Sequence, residues 1–264
     1  NTSGASNAGT SPGGANHGGT ASGGASDGGA AGASGNAGSA AGGEGGNGGS
    51  ANMSCPAVST ALGPWPGKND VKTLDTKDQF TSDLSGLTYE PGATTAAGVL
   101  WAVDNLSSSL FRLVQNANGF VPDTANGWSA GKVLRYPGGN GAPDAEGVTF
   151  GATVADGVYV CAERDTSDAS TSRLSVLRYD VSGAGATLTA SHEWNVTALL
   201  PKVDSNAGLE AITWVPDAFL TAKGFYDEAK AHVYAPADYA NHGTGLFFVG
   251  VEQTGKLHVL ALNH

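Results

Sequence analysis

Glu146 and Glu210 sit 64 residues apart in stretches of the same grammar, Asp144-Ala145-Glu146-Gly147-Val148-Thr149-Phe150 and Gly208-Leu209-Glu210-Ala211-Ile212-Thr213-Trp214. A third such stretch, Asp83-Leu84-Ser85-Gly86-Leu87-Thr88-Tyr89, carries Ser85 at the corresponding place, 61 residues before Glu146. A second set of acids, Asp104, Glu163 and Glu252, ends the apolar run that follows each stretch. Side chains at matching places of successive repeat units come to face one another, so these carboxylates are expected to converge. Converging carboxylates repel unless a proton or a cation lies between them. Ligands that are all oxygen favour a hard ion, Ca²⁺ over Zn²⁺. The candidate metal ligands are therefore Glu146, Glu210, Glu163, Glu252 and Asp104. The alternative is that these acids end strands at a solvated rim and pair locally with Arg164 or backbone donors.

Nucleophilic chemistry has less to stand on. The S-x-x-K match at Ser129-Ala130-Gly131-Lys132, which overlaps a G-x-S-x-G match at Gly127-Trp128-Ser129-Ala130-Gly131, lies in a Gly-rich connector where chance supplies such matches, as it does for the G-x-S-x-G matches around Ser11 and Ser26. Outside the first 53 residues the histidines are His192, His232, His242, His258 and His264, none at metal-ligand spacing. His242, just before Gly243, reads either as an acid or base or as an ordinary turn histidine.

The elements that must position the acids are strands. After each first stretch comes a second strand, Val99-Leu100-Trp101-Ala102-Val103-Asp104, Val158-Tyr159-Val160-Cys161-Ala162-Glu163 or Leu246-Phe247-Phe248-Val249-Gly250-Val251-Glu252. A third then alternates apolar and polar residues, as in Leu174-Ser175-Val176-Leu177-Arg178-Tyr179. Repeated units of three or four antiparallel strands are the grammar of a β-propeller. The expected fold is all-β, a partial propeller of about three blade units. Pro216 to Gly243 interrupts the third unit and reads as an ordered surface excursion. Propellers close with four or more blades, so the chain is expected to be the N-terminal part of a longer protein, or an open, self-associating arc completed by another copy.

Composition divides the chain. Of 264 residues 41 are Gly, and 19 of these fall in residues 1–53, which hold no Phe, Trp or Tyr and no Lys or Arg. That Gly/Ala/Ser/Asn stretch cannot bury enough apolar surface to offset its conformational entropy and reads as a disordered linker or tether. Residues 54–264 read as one globular domain, with 13 basic against 22 acidic side chains and a net charge of −9. The whole chain stands at −11, without a Lys/Arg cluster, which argues against nucleic acid or an anionic membrane as partner. No apolar run is long enough to span a bilayer. Cys55 and Cys161 are the two cysteines, too few for a thiolate metal framework; they read as free thiols or as one disulfide in an oxidising compartment.

Four phrases in order carry a family resemblance: Asp144-Ala145-Glu146-Gly147-Val148, Ala162-Glu163-Arg164-Asp165, Asn206-Ala207-Gly208-Leu209-Glu210-Ala211-Ile212 and His242-Gly243-Thr244-Gly245-Leu246-Phe247-Phe248-Val249-Gly250. Together, over about residues 80 to 263, they resemble the bacterial esterase-like phytase (phytase-like) family. The related SdiA-regulated propellers share the Glu-Gly and Glu-Arg-Asp elements. The resemblance implies an exported, extracytoplasmic β-propeller with a small-molecule phosphoester or ester as substrate, and members with at least one further Glu-Gly unit. The low-complexity stretch resembles the tethers that follow the lipid-bearing cysteine of bacterial surface lipoproteins, a cysteine outside this chain. A phosphoester site in a domain this acidic must use a bound cation such as Ca²⁺ to bridge substrate to protein. The alternative function is a non-catalytic propeller that binds a ligand or a protein at one mouth. Residues 1–53 are expected to be dispensable. Limited proteolysis should remove them and leave a resistant core with an unchanged melting temperature; protection of those residues is the opposing result.

Overall fold

The structure, a computed structural model, describes residues 80, 83–92, 97–117 and 119–264. The expectations for residues 1–53 and for Cys55 lie outside the described residues. Fifteen strands and one α-helix make the described part nearly all-β, arranged in several sheets. No helix among the described residues is long and apolar enough to cross a membrane.

Each repeat unit opens a sheet of its own. In the first, β1 (Leu84–Glu90), β2 (Val99–Asp104) and β3 (Ser109–Asn116) run antiparallel in chain order, and β3 also carries β4 (Gly119–Pro122) and β5 (Lys132–Arg135). The second sheet is β6 (Pro143–Phe150), β7 (Val158–Asp165), β8 (Ser172–Tyr179) and β10 (His192–Asn195). Between β8 and β10 the chain leaves this sheet, and β9 (Thr187–Thr189) pairs in parallel with β5, tying the second unit to the first. The third sheet is β11 (Leu209–Pro216), β14 (Gly245–Val251) and β15 (Lys256–Leu260). The excursion before β14 is ordered, as expected. It holds α1 (Asp217–Ala222) and the hairpin of β12 (Tyr226–Asp227) and β13 (His232–Val233).

The three sheets are stacked, and apolar side chains fill the spaces between them. Trp101, Val103 and Leu110 of the first sheet meet Val148, Val160 and Leu177 of the second. On the other face of the second sheet, Cys161 and Val176 meet Leu209, Ile212, Phe247 and Val249 of the third. This explains the unbroken apolar run of β7, since a strand covered on both faces has no polar side to alternate with. Cys161 is a free, fully buried thiol, and burial pushes its ionisation well above the usual thiol range. The excursion covers the outer face of the third sheet, with Leu220, Tyr234 and Leu246 at its centre. His242 is spent there on structure: Nε2 lies 3.1 Å from Asp217 Oδ2 and 3.0 Å from the Tyr234 hydroxyl, and Nδ1 meets the Tyr239 carbonyl.

The first strands of the three sheets, β1, β6 and β11, lie side by side, with β6 in the middle. The residue type at one position sets how close they come. A Cβ on Gly86 would sit 2.6 Å from Gly147 Cα and 2.7 Å from the Glu146 carbonyl oxygen. One on Gly147 would sit 2.9 Å from Ile212 N. Backbone therefore touches backbone along this row, which only a missing side chain permits. Gly147→Ala is expected to lower stability by about 1–3 kcal/mol through overpacking, and Gly86→Ala comparably. Urea denaturation of each variant checks this; midpoints equal to the parent's would show that the strands can move apart freely.

Candidate functional site: carboxylates on bulged strands

Each of the three first strands carries a break in register at the acid position. In β6 the pairing steps from Ala145↔Ala162 to Gly147↔Cys161, leaving Glu146 as the extra residue. In β11 it steps from Leu209↔Val251 to Ala211↔Gly250, leaving Glu210 extra. In β1 the shift lies between Leu84 and Leu87, around Ser85. A bulge removes a residue from the ladder and re-aims its side chain. Repeated on adjacent strands, it turns Glu146 and Glu210 out of the alternation that would have fixed their facing.

Two groups of carboxylates result, joined through Glu163. One oxygen each of Asp144, Glu146 and Glu163 lie within 4.8 Å of one another, and the same holds for Glu163, Glu210 and Glu252. Four of the five sequence-expected ligands are thus brought together. Asp104 is not among them: its Oδ1 accepts from Ser107 N at 2.8 Å and from Ser107 Oγ at 2.9 Å, holding the turn after β2. Register gives the reason. Leu87↔Ala102, Val148↔Val160 and Ile212↔Val249 are equivalent pairs, and counting on from them puts Asn105, not Asp104, at the place of Glu163 and Glu252.

The first sheet thereby contributes two neutral donors where the others contribute acids. Ser85 Oγ donates to Glu146 Oε2, and Asn105 Nδ2 donates to Glu146 Oε1 at 3.1 Å. Both oxygens of Glu146 are engaged, a good arrangement for a buried carboxylate. Asp144 is the ligand candidate that sequence reasoning missed. It lies two residues before Glu146, and the pairing shifts between Pro143 and Ala145 as well as between Ala145 and Gly147, so its facing follows from the register rather than from alternation. Its Oδ2 accepts from Arg164 Nε at 2.5 Å, yet burial holds its ionisation above the usual carboxylate range against that guanidinium.

Glu163 is almost wholly buried, and its Oε2 accepts from Gly208 N at 2.9 Å. Gly208 has to be glycine here, because a Cβ would sit 2.7 Å from Glu163 Cβ. Burial first, then the charges of Asp144 and Glu146, push Glu163 up to about 7 against the opposing pull of the Gly208 amide and Arg164. Glu210 is also pushed up to about 7, by burial and then by Glu146, Glu163, Glu252 and Asp144. At neutral pH the Glu163–Glu210 pair therefore stands ready to hold a shared proton or a cation. All the donors are oxygen and their reach suits a hard ion. Comparison with protein-family models, with curated proteins and with solved structures gives no match for this chain.

The shifts carry a sign for stability. An acid whose folded pKa is raised keeps its proton in the native state over a range where the unfolded chain has lost it. Without divalent cations, stability should thus fall as pH rises from about 4.5 to about 7 and level off above. Melting curves across that range check it, and Glu163→Gln with Glu210→Gln should flatten the profile. A profile that rises through the same window contradicts the assignment.

Proposed function

We propose that the three stacked sheets are an arc of a β-propeller, with β1, β6 and β11 lining its channel, and that the carboxylates on β6 and β11, with Glu163 of β7 and Glu252 just after β14, hold a hard divalent cation, Ca²⁺. The observation that carries this reading is the meeting of Glu163 and Glu210, both pushed up to about 7 by burial and like charge, in a cluster with one guanidinium, Arg164, already bound to Asp144. A cluster so short of positive charge is relieved by a cation. Oxygen sites of modest rigidity bind Ca²⁺ weakly enough to suit the millimolar levels met outside cells, which agrees with the exported, surface-tethered setting that the phytase-like resemblance implies.

On this reading the chain acts on a phosphate ester. Glu146, clamped by Ser85 and Asn105, would be a fixed ligand. Glu163 and Glu210 would lose their shared proton when the ion binds. The ion supplies charge to draw in and polarise a phosphoryl oxygen, which no described basic side chain is free to do at the cluster. The non-catalytic alternative, a propeller that binds a ligand through the same cation, is favoured by one observation: among the described residues no Ser, Thr or Cys is hydrogen-bonded to a histidine, so no nucleophile–histidine pair is formed there.

Calcium should raise the melting temperature by mass action, more at pH 8 than at pH 5, because ion and proton compete for the same oxygens. Glu146→Gln with Glu210→Gln should abolish the rise, and any hydrolysis of a chromogenic phosphomonoester should vanish with it. No thermal shift and no heat on calcium titration would rule out the cation site. A shift without hydrolysis would leave the binding propeller as the function.

A further inference from the structure

Ser85 stands on β1 where β6 and β11 carry Glu146 and Glu210. The residue is exposed, and its Oγ donates to Oε2 of Glu146, 61 residues further on in the next sheet. Glu146 is 5% exposed, and Asn105 Nδ2 holds its other oxygen at 3.1 Å. An accessible hydroxyl, a buried carboxylate at its proton and a third group that fixes the carboxylate are the parts of an activated nucleophile. The other serine and threonine hydroxyls that donate to acids among the described residues are placed differently. Ser107, Thr153, Ser167 and Ser170 bond acids two or three residues away, as parts of local turns. Ser175, bonded to Glu193, is fully buried and closed to a substrate.

We propose that Ser85 is a catalytic nucleophile with Glu146 as its general base, and that cleavage of the phosphate ester passes through a phosphoserine. This rests on the phosphate-ester reading above and adds to it the group that attacks. Oγ forms a bond to phosphorus while its proton passes to Glu146 Oε2. The bond from phosphorus to the ester oxygen breaks, and the departing alkoxide takes a proton from water. The hydroxide so formed attacks phosphorus in turn. The bond to Oγ then breaks and Oγ recovers its proton from Glu146, so that the alcohol and hydrogen phosphate are the products. Glu146 can be ligand and base together because each carboxylate oxygen has two lone pairs: Oε1 keeps one for a cation, and Oε2 faces the serine. Charge favours this side of the site for the substrate. Ser85 and Asn105 are neutral where the other two sheets carry glutamates, so a phosphate dianion meets least repulsion beside β1. Oxygens of Glu146 and Glu163 lie within 4.8 Å of one another, which brings a phosphoryl group held by the cation within reach of Oγ.

A fluorophosphonate probe on the full chain tests the first step alone: Oγ bonds to phosphorus, fluoride leaves and the serine proton passes to Glu146. Peptide mapping by mass spectrometry should place the adduct on Ser85, in calcium-free buffer as well as with calcium. Ser85→Ala should lose the adduct, and Glu146→Gln, which leaves the hydroxyl without a base, should slow its formation at least about a hundredfold. Circular dichroism shows whether each variant is folded, and the mapping on the parent protein holds whether or not they are. Absence of an adduct on Ser85 overturns the proposal, as does an unchanged rate in folded Glu146→Gln. The calcium-induced thermal shift, measured on the same samples, separates this from the cation reading. A shift without an adduct keeps the cation site and removes the nucleophile; an adduct without a shift does the reverse.

Discussion

The backbone contact between β1, β6 and β11 is the constraint from which the rest of this structure follows. A Cβ on Gly86 or Gly147 would strike the neighbouring strand at under 3 Å, so the strands touch where those glycines stand. Large side chains such as Trp101, Tyr179 and Phe247 are buried between the sheets. Close approach at the first strands also crowds together whatever the neighbouring positions carry. Here two of the three carry carboxylates, Glu146 before Gly147 and Glu210 before Ala211, and the third carries Ser85 before Gly86.

Crowded acids in a partly buried place are unfavourable, and the molecule answers this unevenly. Toward the first sheet the charge is well met: Glu146 is held by a serine and an asparagine, and neither adds a charge. Asp144 has its arginine. Toward the third sheet Glu163, Glu210 and Glu252 meet, and among the described residues the Gly208 amide bonds one of them, Glu163. The asymmetry follows from the replacement of acids by Ser85 and Asn105 in the first unit alone. On the proposed reading, a bound proton or cation would sit on the side of the third sheet.

The same asymmetry of units appears in the packing. The second sheet, covered on both faces, has no large exposed apolar side chain on β6, β7 or β8. On the first sheet's other face Ala102, Phe111 and Leu113 are buried with Phe80 and Phe120, and on the third sheet's the excursion packs through Leu220, Tyr234 and Phe225. The buried contacts of His242 with Asp217, Tyr234 and Tyr239 hold that excursion in place, which is why this histidine is structural here.

Strand identity, the three-unit period and four of the clustered acids were legible in the sequence, because alternation, β-branched runs and recurring phrases are local properties. The covering of both faces of the second unit was also written there, in the unbroken apolar run of β7. Tertiary structure decided which residues meet. The bulges at Glu146, Glu210 and Ser85 each insert one residue against a partner strand, and such an offset exists only once two strands have paired. That single-residue offset separates Asp104, which caps a turn, from Asn105, which binds Glu146. Register depends on pairing across the sheet and on the fit between sheets, neither of which a local motif encodes. The ionisation of Glu163 and Glu210 is of the same kind, since burial and neighbouring charge are properties of the assembled site rather than of the residue.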